Sequence, residues 1–274
     1  MSAPSRWLTG PRLLGLAGAA VAILVVLYVW VLPALAARVA ARIPLEWEEE
    51  LGADLVEAIA PEGSRCTEPA RVEALERIVQ RLVESNDVGP YEFRVTIVDD
   101  TLVNAVAAPG GYIVVFQGLL EQAETPEVVA GVLAHEIQHV VQRHGLTAVL
   151  KDLPMILAAT VISGGDETAG SLLGAAATLG ALRYRRGDEA DADREGLSML
   201  RAAGIAPDGM IAFFAGLAEE EGGASALATY LSTHPRSADR MEALRALVAE
   251  RPYAAEPLVA ASDWSRVRTP CDAG

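Results

Sequence analysis

The sequence predicts a mainly helical α+β domain with a small β-sheet, preceded by one transmembrane helix. Three patterns predict this class: a 20-residue apolar stretch near the N-terminus, short runs of alternating apolar residues, and longer runs with helical periodicity. The 274 residues suffice for one good-sized domain, and a hydrophobic content of 51% excludes a disordered chain. The net charge of −15 excludes nucleic acid as an expected partner, because acidic proteins repel phosphate backbones.

The first predicted element is the apolar stretch from Leu13 to Leu32. A helix of this length would be ~30 Å long, which matches the hydrocarbon core of a bilayer. The alternative is a cleaved signal peptide ending near Ala36, but the apolar core exceeds the ~7–15 residues usual for such peptides. We therefore expect a retained, single-pass anchor over residues 13–37 in the inner (cytoplasmic) membrane, with residues 1–12 as a cytoplasmic tail.

The two cysteines, Cys66 and Cys271, lie at opposite ends of the predicted domain. This placement suits a disulfide that ties the C-terminal tail to the start of the domain in an oxidising compartment. The alternative is a pair of independent buried thiols. Arginines flank the apolar stretch on both sides and do not decide its orientation. The expected disulfide therefore places the domain on the periplasmic, extracytoplasmic side.

The remaining elements follow from periodicity and from helix start and stop signals. We expect helices at 45–60, 68–85 and 125–145, strands at 91–99 and 112–116, an acid-bearing helix ending at Gly204, and helices at 207–221 and 236–250. The domain is expected to cover residues 45–274, with a core at about 68–250. Two apolar segments within 146–182, Leu153 to Ile162 and Leu172 to Leu182, are interpreted as core helices or a lid, or alternatively as a hairpin that gates a cleft or touches the membrane.

The helix that starts after Thr125 carries the pattern His135-Glu136-Ile137-Gln138-His139. Residues four apart share a helix face, so His135 and His139 can direct ring nitrogens at one metal ion while Glu136 lies beside them. A chance match is the alternative, but the surrounding valines and leucines predict a buried helix, and buried His and Glu side chains need partners. The pattern predicts a zinc hydrolase site with one Zn²⁺ per chain.

A catalytic zinc site needs a third protein ligand. A histidine placed as in HExxHxxGxxH is excluded, because His144 comes one residue too early. An acidic residue on a second helix is the other option, and Glu189 could ligate zinc while Asp193, one turn later, accepts a hydrogen bond from a ligand histidine. Asp188 and Asp191 remain alternative ligands, and a solvated acidic helix face remains an alternative to any site.

Five segments occur in an order found in a known family: Asn104 to Val115, the HEIQHVVQRH run, Glu189-Ala-Asp-Ala-Asp193 as an ExxAD pattern, Ala203 to Pro207, and Ser232 to Arg240. The chain resembles metallopeptidase family 48 over roughly residues 70–250. That family includes the BepA- and HtpX-like bacterial proteases and the CaaX prenyl proteases. The resemblance implies a zincin-type domain with zinc ligands His135, His139 and Glu189, catalytic base Glu136, and Asp193 as partner of a ligand histidine.

The same resemblance places His234 and Arg240 near the cleft as candidate catalytic residues. His234 could donate a hydrogen bond to the developing oxyanion, or act as a fourth zinc ligand that holds the enzyme latent. The alternative is a capped helix start at Thr233-His-Pro. His144 is expected either to orient the end of the catalytic helix or to pack behind the ligand residues, and no chemistry is assigned to it.

An exposed sheet edge around Pro109 to Val114 could bind a substrate peptide as an added strand. Asn104, Gly110 and Gly111 are the candidate substrate-binding residues in this region. The glycine pair could equally form only a turn.

The expected function is that of a membrane-anchored zinc endopeptidase that cleaves misfolded or misassembled envelope proteins. The substrate class is implied by the resemblance alone. The alternative is a chaperone or assembly factor on the same fold whose proteolysis is latent. A multi-span CaaX-type protease is disfavoured by the single apolar stretch.

Overall fold

The computed structural model describes residues 10–162, 184–219, 230, 234, 238–258 and 261–271. Its helices are α1 (Gly10–Val26), α2 (Leu32–Ala40), α3 (Leu45–Ile59), α4 (Pro69–Glu84), α5 (Gln117–Gln122), α6 (Pro126–Val141), α7 (His144–Ile162), α8 (Arg186–Ala202), α9 (Asp208–Glu219), α10 (Ala238–Glu250) and α11 (Ala261–Val267). The strands are β1 (Arg94–Val98), β2 (Ala105–Ala108) and β3 (Tyr112–Phe116). The prediction of a mainly helical domain with a small sheet is confirmed.

The N-terminal apolar stretch forms two α-helices joined by a π-helical turn. Between α1 and α2, the turn Leu27–Val31 lets the backbone N–H of Leu32 bond to the carbonyl of Leu27, a five-residue spacing instead of four. The predicted anchor region, residues 13–37, is therefore helical with a π-helical turn inside it, and its role as a transmembrane anchor stays a prediction. Within the residues that the structure describes, no single helix combines the length and the apolar character needed to cross a membrane.

The three strands form one sheet in the order β1-β3-β2, with β3 parallel to β1 and antiparallel to β2. Because β3 has a neighbouring strand on each side, the expectation of an exposed sheet edge around Pro109 to Val114 is wrong. The edge next to the metal-site helix is β2, which joins β3 through the short turn Pro109–Gly111. This strand-turn-strand unit corresponds to the segment from Asn104 to Val115 that the family resemblance singled out.

Helix α6 lies at the centre of the domain, between the sheet on one side and helices α8 and α9 on the other. Most of its apolar residues, including Leu133 and Ile137, are fully buried in the main core, and Val128 and Val141 are partly buried against it. Gly131 allows α9 to approach closely, because a Cβ atom there would lie 2.7 Å from the Cα of Met210. The sequence therefore buries α6 on every side and holds its polar residues inside the protein.

The C-terminal tail returns to the start of the domain. In α11, the indole of Trp264 donates a hydrogen bond to the carbonyl of Ala123 at 2.9 Å. Cys271 is joined by a disulfide to Cys66, with 5.9 Å between their Cα atoms, a separation usual for disulfides. The buried guanidinium of Arg71 bonds to the carbonyl of Pro270 at 3.1 Å. The pairing expected from the cysteine positions is thus what the structure shows.

Some predictions fall on residues outside the described ranges. These are the apolar segment Leu172 to Leu182, the proposed helix cap at Thr233 and most of the N-terminal tail. The other apolar segment, Leu153 to Ile162, is the second half of α7.

Candidate metal centre

Helices α6 and α8 cross in the core and bring their polar residues together. On α6, His135 and His139 lie one turn apart, and both rings are at most 1% exposed. On α8, Glu189 faces them and is 0% exposed. His234 completes the group, because one ligand-type atom from each of the four residues lies within 4.8 Å of the others.

The distances within this group fit a metal ion. Nε2 of His135 lies 3.0 Å from Nε2 of His139 and 3.7 Å from Oε2 of Glu189, and Nε2 of His139 lies 3.4 Å from Oε1 of Glu189. Ligand atoms at ordinary Zn–N and Zn–O distances in a tetrahedron are about 3.3–3.5 Å apart. Two imidazole nitrogens and a carboxylate oxygen are also the donor set of a hydrolytic zinc site. These residues could therefore hold zinc.

The alternative acidic ligands on α8 have other partners. Asp188 accepts a hydrogen bond from the backbone N–H of Arg185 at 3.1 Å and so caps the start of the helix. Asp191 pairs with Arg194 at 2.8 Å, and both side chains are about half exposed. Among these acidic residues, the structure places Glu189 in the metal cluster and leaves the other two at the helix surface.

Glu136 is completely buried and is held by the sheet edge. Its Oε2 accepts a hydrogen bond from the backbone N–H of Ala107 at 2.9 Å. Within the described part of the chain its Oε1 accepts no hydrogen bond, and it lies 3.4 Å from Nε2 of His234. Burial raises the pKa of Glu136, and the charge of His234 opposes this only in part. The free oxygen therefore belongs to a carboxylate of increased basicity.

Asp193 and Arg240 form a buried pair behind His135. The guanidinium of Arg240 donates to both oxygens of Asp193, at 2.6 Å from Nε and 2.8 Å from the terminal nitrogen. Oδ1 of Asp193 lies 3.0 Å from Nδ1 of His135. Burial would raise the pKa of Asp193, but hydrogen bonds from Arg240 and His135 outweigh it and lower that pKa. Arg240 also contacts Oε2 of Glu189 at 2.6 Å, so the structure places it against two carboxylates.

His234 enters the cluster from the segment before α10. Its Nδ1 lies 3.1 Å from Oε1 of Glu189 and 3.3 Å from Nε2 of His135. Its ring stacks on Tyr230, with 4.3 Å between ring centroids and 17° between planes. Burial would lower the pKa of His234, but the carboxylates of Glu189 and Glu136 raise it above the ordinary value.

Two tyrosines in contact with the cluster were not predicted. Tyr184 stacks on His139 with 3.7 Å between centroids and 13° between planes, and its hydroxyl donates to the carbonyl of Ala107 at 3.4 Å. Tyr230 lies against His234. No spacing rule relates either tyrosine to the HExxH pattern, because both contacts join parts of the chain far apart in sequence.

The predicted substrate-binding residues lie at the sheet. The carbonyl of Asn104 accepts a bond from Phe116 at 3.0 Å and extends the pairing of β2 with β3. Gly110 has φ of 75°, and a Cβ there would lie 2.6 Å from the Cα of Glu49. Gly111 has φ of 95°, and its Cβ would lie 2.3 Å from the carbonyl oxygen of Glu92. The tight turn and its close packing account for both glycines without a substrate.

The sequence profile described as Peptidase family M48 matches residues 69–248, which is more than half of the chain. The chain belongs to peptidase family M48. The resemblance that the five motifs indicated is thereby confirmed, and the chain is a member of a metallopeptidase family. The matched region contains every residue of the cluster. The two cysteines of the disulfide lie just outside it, Cys66 before its start and Cys271 after its end.

Several curated proteins are similar to this chain. Metalloprotease YcaL of Escherichia coli K12 is 30% identical over 181 residues, which cover 64% of this chain and 69% of that protein. Mitochondrial metalloendopeptidase OMA1 of Arabidopsis thaliana is 33% identical over 157 residues, or 56% of this chain and 31% of that protein. Beta-barrel assembly-enhancing protease of Yersinia pestis is 26% identical over 226 residues, or 78% of this chain and 46% of that protein. The matched region is thus less than half as long as two of these three relatives.

Proposed function

We propose that this M48 protein is a zinc-dependent endopeptidase. The observation that carries the proposal is the convergence of His135, His139 and Glu189 in one buried cluster, with the free oxygen of Glu136 beside it. The relatives named metalloprotease and metalloendopeptidase support the same activity. The zinc ion, its three ligands and the role of Glu136 are parts of this proposal.

The roles of the protein groups follow from their contacts. A bound zinc ion would act as a Lewis acid that polarises the scissile carbonyl and favours ionisation of the attacking water. Because Ala107 holds one oxygen of Glu136, the other is free to take the proton from that water and deliver it to the leaving amine. Asp193 faces Nδ1 of His135 and so directs the lone pair on Nε2 toward the cluster.

We further propose that substrate peptides bind along β2. The N–H and C=O of Ala107 point away from β3, and in this structure they contact Glu136 and Tyr184. A substrate strand that pairs with this edge would replace these two contacts of Ala107 and would lie beside Glu136. Misfolded or misassembled envelope proteins are the proposed substrates, a role suggested by the relative named beta-barrel assembly-enhancing protease.

The proposed location is the extracytoplasmic face of the inner membrane. The disulfide between Cys66 and Cys271 supports an oxidising compartment. Large apolar side chains of the N-terminal apolar segment, among them Leu14, Ile23 and Trp30, are exposed, which supports contact of the segment with lipid. Membrane fractionation followed by alkaline carbonate extraction tests the anchor, and release of the full chain by carbonate would contradict it.

The test of the catalytic proposal is Glu136→Gln. Glutamine keeps the size of the side chain but cannot take the proton, so this variant should retain about one zinc per chain and lose casein cleavage. Metal content and cleavage are measured on the same preparation, with and without a chelator. Cleavage by Glu136→Gln at the wild-type rate would contradict the mechanism.

A matched set of variants on α8 tests the third ligand. Glu189→Ala should lose zinc together with activity, whereas Asp188→Ala and Asp191→Ala should keep both, because the latter side chains contact Arg185 and Arg194. Normal zinc content in Glu189→Ala would assign the ligand to another residue.

A chaperone or assembly factor with latent proteolysis is the second candidate. The observation that favours it is the closure of the cluster, since His135, Glu136 and Glu189 are all 0% exposed. In this case Glu136→Gln would still support the assembly of client proteins in cells. Loss of that function in the variant would favour the protease.

A further inference from the structure

Each predicted ligand histidine has a partner at the ring nitrogen that faces away from the cluster. Nδ1 of His135 lies 3.0 Å from a carboxylate oxygen of Asp193, which is the common arrangement in zinc sites. Nδ1 of His139 instead lies 3.0 Å from Nδ1 of His144. None of the proposed catalytic steps involves this contact between His139 and His144.

Two imidazole nitrogens at this distance can share only one hydrogen. A hydrogen bond between them needs one N–H group and one lone pair, so the two rings must adopt complementary tautomers. If Nδ1 of His139 carries the hydrogen, its Nε2 has a lone pair, and that nitrogen lies 3.0 Å from Nε2 of His135 and 3.4 Å from Oε1 of Glu189. In the opposite arrangement, His139 would direct an N–H group into the cluster and could not bind a metal there.

We propose that His144 is a positioning residue for the metal site, whose Nδ1 accepts the Nδ1–H of His139 and keeps Nε2 of His139 available as a ligand. This inference rests on the proposed function, because it assigns a partner to one of its metal ligands. His144, the third histidine of the HEIQHVVQRH run, would thus act on the metal site through His139 and would not bind the metal itself.

The ring of His139 is fixed in the orientation that this role requires. Tyr184 stacks on it nearly in parallel, with 3.7 Å between centroids, and the ring is 1% exposed. Tilting of the ring would break this stacking, whereas a 180° flip would keep the ring plane but turn Nδ1 away from His144. Packing therefore sets the plane of the ring, and the contact with His144 selects the edge that carries Nδ1.

The position of His144 is fixed by the residue before it. Arg143 has φ of 55°, a left-handed conformation that is uncommon for residues other than glycine, and it turns the chain sharply between α6 and α7. Its guanidinium is held by the carboxylate of Glu48 at 2.8 Å, the hydroxyl of Tyr91 at 2.9 Å and the carbonyl of Ala40 at 2.6 Å. These contacts hold the turn in place and bring Nδ1 of His144 next to Nδ1 of His139.

Two substitutions separate hydrogen bonding from packing. His144→Phe keeps an aromatic ring but has no acceptor, whereas His144→Asn keeps an acceptor oxygen near the position of Nδ1. Gln142→Ala is the control, because it removes a polar side chain from the same turn whose partner is Gln138. The affinity for zinc is measured by competition with a chromogenic chelator, using full-length protein whose fold is checked by circular dichroism.

We expect His144→Phe to bind zinc about 10- to 100-fold more weakly than wild type, the usual effect of losing the partner of a ligand histidine. His144→Asn and Gln142→Ala should bind zinc nearly as wild type does. Wild-type affinity in folded His144→Phe would overturn the proposal, and so would an equal loss in His144→Phe and His144→Asn.

A second measurement needs no substitution. In metal-free wild-type protein labelled with ¹⁵N-histidine, the NMR shifts of His139 should report the Nδ1–H tautomer, and the Nε2–H tautomer would overturn the proposal. If wild type binds no zinc, the proposed function fails, while the tautomer still tests the contact with His144. If wild type binds zinc and His144→Phe binds it equally well, the inference alone fails.

Discussion

At the scale of single residues, three buried carboxylates near the cluster have different properties because their neighbours differ. Burial dominates at Glu136 and raises its pKa. Burial would also raise the pKa of Glu189, but interactions led by the charge of His234 outweigh it and hold that pKa well below its ordinary value. The pKa of Asp193 is likewise lowered, by its hydrogen bonds from Arg240. A base, a ligand and a ligand's partner can therefore coexist within one cluster.

The position of His234 leads to a prediction about latency. Because its Nδ1 lies near His135 and Glu189 and its Nε2 lies near Glu136, His234 occupies the space that a fourth ligand and a substrate would need. We expect His234→Ala to retain zinc and to cleave casein and itself faster than wild type. A fall in turnover of about 100- to 1,000-fold would instead assign His234 to oxyanion binding. Unchanged turnover would favour the helix cap.

The pair of Asp193 and Arg240 predicts a dependence of stability on pH. An acid whose pKa is lowered by folding stabilises the protein above its ordinary value of 3.8, and this contribution disappears as pH falls through the lower folded-state pKa. Metal-free Asp193→Asn should be about 3 kcal/mol less stable than wild type at pH 7, with the difference shrinking below pH 3.8. Urea unfolding across this range is the measurement. Asp191→Asn, at a partly exposed ion pair, should show a much smaller difference, and a pH-independent gap for Asp193→Asn would contradict the prediction.

At the scale of elements, the end of α6 is connected to the N-terminal helices. Arg143 bonds to the carbonyl of Ala40, the last residue of α2, and to Glu48 in α3. The Glu48 side chain is 1% exposed, and burial raises its pKa while the charge of Arg143 opposes this. The partly buried guanidinium of Arg143 thus joins the N-terminal helices to the helix that carries the metal ligands.

This connection predicts a large loss of stability in Arg143→Ala. The substitution leaves the buried carboxylate of Glu48 without its cation, and such a loss costs about 3–5 kcal/mol. Arg94→Ala is a matched control, because its pairs with Glu49 and Glu92 are exposed and worth ~1 kcal/mol or less. Urea unfolding compares the variants. The double variant Arg143→Ala with Glu48→Gln should regain part of the lost stability. A loss of less than about 1 kcal/mol in Arg143→Ala would contradict the proposed role of the pair between Arg143 and Glu48.

The sequence predicted those elements whose patterns are local. Apolar periodicity and the four-residue spacing of His135 and His139 sufficed for α6, because both depend on helix geometry alone. Periodicity did not reveal β2, because its four residues are three alanines and one valine and its pairing with β3 lies outside any local pattern. Tyr184 was missed since its contact with His139 depends on the folded chain. The π-turn at Leu27 was missed because its residues are as apolar as their neighbours.

At the scale of the whole molecule, the family-matched region is enclosed by contacts between its two ends. The disulfide joins residues 205 positions apart, and Arg71 binds the tail beside it through the hydroxyl of Thr269 at 3.1 Å and the carbonyl of Pro270. Trp264 and Arg268 bond to carbonyls on either side of the end of α5. The start and the end of the domain therefore stabilise each other.

Removal of the disulfide should lower stability substantially. In the chain-entropy model, a cross-link over such a long loop stabilises the folded state by up to about 5 kcal/mol. We expect the double variant Cys66→Ser with Cys271→Ser to unfold at a lower urea concentration, with the zinc content unchanged in native buffer. Non-reducing mass spectrometry of wild type recovered from membranes checks the bond itself. Two free thiols there would contradict both the cross-link and the extracytoplasmic location.

The complete burial of the cluster has a consequence for how metal enters and leaves. With all four ligand-type residues at most 2% exposed, a chelator cannot reach the ion until the protein opens. The rate of zinc release should therefore rise with chelator concentration only until it equals the rate of opening, and then stay constant. A rate that increases linearly without limit would show an accessible site. The rate of metal exchange would thus measure the opening motion that substrate binding to this buried site also requires.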